Sequence, residues 1–328
     1  MVPLRFSLFL LMITISECIG VDELDSLIDD EFDNIVAQLS PQEISMMNSV
    51  LEDLIMNQHS SPTSYEESIS QICGRRYYRA PRRKSRIVGG RRSDYSEWPW
   101  MVSVQRWNGH KFVHKCSATL LNQRWAITAA HCLLDTTAGE VLLKIGEYEI
   151  GHPQKLYGYV NRRVKLIIRH PGFNHLTLEN DLALMRLHQP VTFEGTIVPV
   201  CLPKNSENYV GRVGIVAGWG KLDRDGPQPK TLHHVSLPIV DNHECIDMYM
   251  KAGYREHIPD TFICAGLPQG GKDSCDGDSG GPLVIEENGQ WFLVGIISWG
   301  IGCALPNQPG VYTRISEYSE WIHSIIVY

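Results

Sequence analysis

Beyond residue 86 the chain reads as short Val-, Ile- and Leu-rich runs broken by Gly and Pro, such as Val141 to Ile145, Val164 to Ile168, Val213 to Ala217 and Phe292 to Ser298. Runs of that length with turn residues between them predict an all-β barrel or sandwich. Helical period enters only at the end, where Ser316 is the expected cap and Trp321, Ile322, Ile325 and Ile326 share a face.

The first 86 residues follow other patterns. Arg5 precedes an apolar run, Phe6 to Ile15, and the small or neutral Cys18 and Gly20 suit a cleavage site before Val21. Residues 1–20 are therefore expected to be an export signal, since a bilayer span needs roughly 20 apolar residues. An uncleaved anchor is the alternative. From Val21, two amphipathic helices are expected. In the first, Leu24, Leu27, Ile28, Phe32, Ile35, Val36 and Leu39 form one stripe; the second opens on the capping box Ser40, Pro41, Glu43 and carries Ile44, Met47, Leu51, Leu54 and Ile55. The stripe reads either as a module that docks or as a small hairpin or partly disordered solubilising arm. Ser, Pro, Thr and Glu between His59 and Ser70 mark a linker.

Charge sharpens this division. The 328 residues sum to −7, but Val21 to Ile72 hold 12 acidic residues and no Lys or Arg, Cys73 to Arg86 hold 7 basic residues and no acid, and Ile87 to Tyr328 hold −2. Without a basic excess in its main domain, the chain is not expected to bind nucleic acid. The basic strip reads as an acidic-surface patch or an exposed cleavage site. Eight of the nine cysteines (Cys73, Cys116, Cys132, Cys201, Cys245, Cys264, Cys275 and Cys303) lie beyond the leader. An even number in an exported chain predicts four disulfides whose pairing the count alone leaves open. No CxxC or HExxH is present, so no metal site and no cofactor are expected, and no Asn-x-Ser/Thr sequon occurs.

Three segments carry reactive residue types. Thr128-Ala129-Ala130-His131-Cys132 sets a His behind small residues, Asn180-Asp181-Leu182-Ala183-Leu184 heads an apolar strand with Asp, and Gly277-Asp278-Ser279-Gly280-Gly281 puts Ser among glycines. A serine hydroxyl is a weak nucleophile, so acyl transfer needs an imidazole to take its proton and a carboxylate to fix the imidazole's tautomer. Glycines let main-chain N–H groups approach a developing oxyanion.

These segments, in the order His, Asp, Ser, together with Ile87-Val88-Gly89-Gly90, Gly277 to Leu283, Ser298-Trp299-Gly300 and Pro309-Gly310-Val311-Tyr312, resemble the chymotrypsin-like (S1) serine proteases over residues 87–328. From Gly172 to Gly281 the chain is most similar to the secreted processing and cascade proteases of arthropods. The resemblance implies two packed six-stranded antiparallel barrels with a C-terminal helix, behind an acidic helical or partly disordered pro-segment at 21–86. It implies His131 as general base, Asp181 as its orienter, Ser279 as nucleophile, and the N–H groups of Gly277 and Ser279 as the oxyanion hole. It pairs Cys73 with Cys201, Cys116 with Cys132, Cys245 with Cys264 and Cys275 with Cys303. One bridge common in the family is missing, with Gly214 and Ile285 at its two positions.

Specificity is expected to rest on Asp273, because a carboxylate at the base of a narrow pocket calls for Arg or Lys. Ser298, Trp299, Gly300 and Gly310 complete the expected substrate-binding set, with small walls at the two glycines. Asp276 is expected to discourage acidic residues near the scissile bond. Activation is expected on cleavage after Arg86, the freed Ile87 α-amino group pairing with Asp278. The loop after Gly146-Glu147 looks short for calcium, and Pro309 stands where sodium-responsive relatives carry Tyr. The expected partners are protein or peptide substrates with Arg or Lys at the cut, an activating protease and serpin- or Kunitz-type inhibitors. The competing readings are a catalytically silent binding protein on this fold, and a digestive or venom trypsin.

Overall fold

The computed structural model describes residues 71–77, 90–151, 158–203, 208–221, 227–271 and 277–326. The leader, the expected acidic helices, the Arg86-Ile87 junction, Asp273, Cys275 and Asp276 lie outside the described residues.

Six strands close into a first antiparallel barrel in the order β2-β3-β4-β7-β6-β5: β2 (Met101–Trp107), β3 (Phe112–Leu120), β4 (Trp125–Thr128), β5 (Val141–Ile145), β6 (Val160–Arg169) and β7 (Ala183–Leu187). Strand β5 shows why: Val141, Leu143 and Ile145 are fully buried while Leu142 and Lys144 are only partly so, the period-two alternation of a strand with one face in a core. A second barrel comprises β8 (Val213–Gly218), β9 (His233–Val240), β10 (Phe262–Ala265), β11 (Pro282–Glu287), β12 (Gln290–Trp299) and β13 (Gly310–Arg314). Its sheet closes through the β8–β9 pairing, and β1 (Arg91–Arg92) adds to β9 at the edge. The two six-stranded barrels expected from the family resemblance are thus both present. One apolar cluster joins them, running from Trp100, Ile127 and Leu184 of the first barrel to Trp219, Val284 and Ile296 of the second.

Among the described residues from 90 onward, two α-helices accompany the barrels, one more than the sequence pattern predicts. Helix α1 (Asn242–Lys251) starts where the Asp241 side chain accepts from the His243 N–H at 2.8 Å, and it buries Cys245, Met248 and Tyr249. Its apolar positions are few, which hides its period. Helix α2 (Ser319–Ile326) closes the chain, but Ser316 is no cap; it lies buried inside a 3-10 turn, Ile315–Tyr318, that precedes the helix. Ile322 packs α2 into the cluster that joins the two barrels, and Asn122 Nδ2 donates to the Ile326 carbonyl at 3.1 Å.

Disulfides Cys73–Cys201, Cys116–Cys132 and Cys245–Cys264 form as expected. Cys303 is disulfide-bonded too. At the missing bridge, the β11–β8 register that sets Val284 opposite Ile215 continues toward Ile285 and Gly214. Leu283 fills the space beside Gly214, leaving Cδ1 only 2.5 Å from where a Cβ would stand.

Candidate active site

The histidine is presented by the turn that leaves β4. Ala129 and Ala130 are fully buried, so the chain turns tightly there and brings His131 out half-buried in the 3-10 segment Ala130–Leu133. Asp181 comes from the loop before β7 and has no exposed surface. Its Oδ2 lies 2.7 Å from His131 Nδ1, and its Oδ1 accepts the His131 main-chain N–H at 2.9 Å. Two further donors come from the other barrel. Ser298 on β12 donates Oγ–H to Asp181 Oδ2 at 2.6 Å, and Thr313 on β13 donates to the Asp181 carbonyl at 2.9 Å. A dry carboxylate is costly unless charge-assisted bonds surround it; the two His131 contacts and Ser298 supply them while fixing which imidazole nitrogen faces the acid, and Thr313 holds the main chain.

The serine loop is pinned against the same strands. Ser117 N–H donates to the Ser279 carbonyl at 2.9 Å, and Gly280 N–H donates to Ile297 O at 2.9 Å. Ser117 follows Cys116, whose disulfide partner Cys132 adjoins His131, so one short covalent path links the serine loop's support to the histidine's turn. Gly280, at φ +77°, has Thr128 Oγ1 where a Cβ would sit, so only glycine lets the loop approach. Gly277 is at φ +99°, with Gln228 Nε2 2.9 Å from its Cβ site. Its carbonyl accepts from His114 Nε2 at 3.4 Å, and His114 Nδ1 in turn accepts from Ser103 Oγ at 2.8 Å. Burial holds His114 down to about 4, so this ring is neutral near pH 7.

Asp278 is 8% exposed and accepts the Gly220 N–H at 2.6 Å. A Cβ at either Gly218 or Gly220 would fall on its carboxylate. Among the expected substrate positions, Ser298 spends its hydroxyl on Asp181. Trp299, half-buried, packs edge-on to Phe262 at 6.1 Å and tilted on Tyr249 at 5.8 Å. Gly300 is exposed, and the Cα of buried Gly310 lies 4.0 Å from its Cβ site, so the two glycines face each other across an open wall.

The sequence reading missed Thr313, His114 and Ser103, whose partners lie too far along the chain for local spacing to signal. Cys116, His131 and Cys132 cluster as metal ligands would, but the two sulfurs are bonded to each other and offer no thiolate. Glu147 is buried, which pushes its carboxyl up, and it pairs with Lys144 at 3.0 Å.

The arrangement places a buried acid on an oriented imidazole beside a glycine-rich serine loop, which is the equipment of nucleophilic acyl transfer. The family model for trypsin matches residues 87–322. Serine proteinase stubble of Drosophila melanogaster is 46% identical over 244 residues, 74% of this chain and 31% of stubble. Serine protease filzig of the same fly is 41% identical over 269 residues, 81% of this chain but 16% of filzig. Trypsin-1 of the crayfish Astacus astacus is 40% identical over 247 residues, 72% of this chain and 98% of that protein. The chain thus spans a third or less of the two fly relatives and is matched over nearly the whole of the crayfish one.

Proposed function

Because the chain belongs to the trypsin family of serine proteases, we propose that it is exported as a zymogen, activated by cleavage after Arg86, and hydrolyses peptide bonds after Arg or Lys. Serine endopeptidase activity follows from the family itself; the finer reading rests on individual residues. The observation that carries the catalytic part is the fully buried Asp181 held 2.7 Å from His131 Nδ1; the Arg or Lys preference and the cut after Arg86 rest on Asp273 and the Arg86-Ile87 junction in the sequence.

In this reading His131 Nε2 takes the Ser279 proton as Oγ attacks the scissile carbonyl. The N–H groups of Gly277 and Ser279 hold the oxyanion, and His131 then protonates the departing amine. Water, deprotonated by the same imidazole, hydrolyses the acyl-enzyme. Asp181 keeps the ring oriented and stabilises the imidazolium formed on the way.

Asp273 selects Arg or Lys, admitted past Gly300 and Gly310. Before the cut no α-amino group exists at Ile87; afterwards it pairs with Asp278, whose seat beneath Gly218 and Gly220 admits no side chain. The Cys73–Cys201 bridge retains the acidic pro-segment after cleavage. A long tethered arm favours limited proteolysis of chosen proteins over digestion, with a separate activating protease and serpin- or Kunitz-type inhibitors as partners. The leader supports secretion, and among the described residues no helix is long and apolar enough to cross a membrane.

The test is active-site titration of the full chain with a serine-directed phosphonate, before and after cleavage at Arg86 verified by mass. Labelling of Ser279 only after the cut is expected, with the activated enzyme cleaving a peptide library after Arg and Lys. Absence of labelling after a verified cut overturns the reading.

A further inference from the structure

Residues 71–77 lie upstream of the proposed cut yet fold against the catalytic unit. Cys73 is bonded to Cys201, Gly74 N–H donates to Pro199 O at 2.8 Å, and Trp291 N–H donates to Gly74 O at 3.0 Å. Two residues on, the Arg76 guanidinium lies in the corner of two perpendicular indoles whose centroids are 5.1 Å apart, its Cζ 4.0 Å from the Trp98 ring centroid and 3.9 Å from that of Trp291. The two tryptophans are only 4% and 8% exposed.

Arg76 Nη1 also stands 3.7 Å from Glu97 Oε1. Glu97 is buried and accepts the Arg91 guanidinium and, at 2.9 Å, the Asp94 N–H. Arg91 belongs to β1, paired with His234 of β9, and the preceding Gly90 brings its Cβ site to 2.9 Å from the His234 carbonyl. One carboxylate therefore joins a cation upstream of the cut to a cation just downstream of it.

We propose that Arg76 is a positioning residue: its two-tryptophan clamp keeps the retained pro-segment seated after cleavage and, through Glu97 and Arg91, holds β1 where the new amino terminus at Ile87 enters its pocket. The second half of this inference rests on the proposed activation after Arg86; the first does not. Cleavage removes the direct main-chain path between Arg76 and Arg91 and leaves only the long one through the Cys73–Cys201 bridge, so Glu97 becomes the near partner that keeps both in register. The disulfide fixes Cys73 and two main-chain bonds fix Gly74, which leaves Arg76 as the side chain that seats the segment beyond them. A cation over indole faces is attracted by the ring quadrupole, more so when water is excluded, and a planar guanidinium stacks where an ammonium does not. Burial lowers Arg76 to about 10, so it stays charged at neutral pH.

The experiment uses the full chain as wild type, Arg76→Ala, Arg76→Gln and Arg76→Lys, each with and without the paired changes Cys73→Ser and Cys201→Ser, cut at Arg86 and checked by mass. Without the disulfide, the wild-type pro-segment is expected to co-elute with the catalytic chain on gel filtration, and Arg76→Ala to release it roughly 30-fold faster, as losing a desolvated cation–π contact implies. With the disulfide intact, Arg76→Ala should leave the Ile87 α-amino group several-fold more reactive toward cyanate, and Arg76→Lys should restore part of the protection. Arg76→Gln keeps the bulk and gives the same reading if the alanine variant does not accumulate. Wild-type retention and wild-type cyanate reactivity in Arg76→Ala or Arg76→Gln overturn the proposal. A cut wild type that stays unlabelled by phosphonate defeats the activation reading instead, and retention of the disulfide-free pro-segment still tests the clamp.

Discussion

Replacing Ser298 with Ala removes one donor from Asp181 and nothing from His131. The Asp181 carboxylate, with no exposed surface, accepts the two His131 bonds and the Ser298 hydroxyl at 2.6 Å. A hydrogen bond to a charged group is worth about 1.5–3 kcal/mol, and water cannot reach this site to replace it. The loss falls mainly on the transition state, because the imidazolium opposite Asp181 exists only once Ser279 has given up its proton. At 1.36 kcal/mol per decade, kcat should fall about 10- to 150-fold, with KM changed no more than about twofold. The assay is hydrolysis of a small Arg amide by the cleaved enzyme, normalised to phosphonate-titratable sites, with thermal unfolding run alongside. Thr313→Val is the control: its hydroxyl serves the neutral Asp181 carbonyl at 2.9 Å, so it should cost stability but less than about tenfold in kcat. A Ser298→Ala enzyme with wild-type kcat, or one whose whole defect lies in KM, would refute the reasoning.

Gly218→Ala puts a methyl on the Asp278 carboxylate; the protein should still be cut at Arg86, but kcat/KM should fall more than about tenfold, whereas Gly139→Ala, with nothing within 4 Å of its Cβ site, should not change it. Asp273→Asn should lower kcat/KM for Arg and Lys amides by about 100- to 1,000-fold, as expected when a buried cation loses its partner, with little effect on an uncharged amide. Stability should fall in acid because His234, 9% exposed, is held down to about 3 by burial, then by Arg91 and Arg76. The unfolded chain binds the proton first, so this contribution is complete above about pH 6.5 and is lost as pH falls toward 3; at pH 4.5 the loss is on the order of 3 kcal/mol, and His234→Gln should flatten urea midpoints measured from pH 4.5 to 8.

Much of the site was legible because chemistry confines it to short motifs. The alternation in Val141 to Ile145 is a local consequence of one buried face, and it reads the same in the sequence and in β5. His131 and Ser279 stand out because each sits among the small residues its approach requires, as Gly280 against Thr128 shows, and Asp181 because it heads an apolar strand. Helix α1 escaped notice because its buried face amounts to Cys245, Met248 and Tyr249, too few to mark a period, although Asp241 offered a cap. At the chain's end the opposite occurred. The apolar face was visible, but the 3-10 turn at Ile315–Tyr318 moved the start of α2 to Ser319.

What the sequence determined by itself was therefore the class of fold and the kinds of groups in the site, since strand period, turn residues and glycine sterics act over a few neighbouring residues. Tertiary structure alone decided the second layer. Ser298 and Thr313 reach Asp181 from 117 and 132 residues away, and Arg76 meets Trp291 where residues 71–77 fold back beside Cys201 and β12. These contacts depend on barrel closure, which brings strands remote in sequence side by side and excludes water from the carboxylates between them.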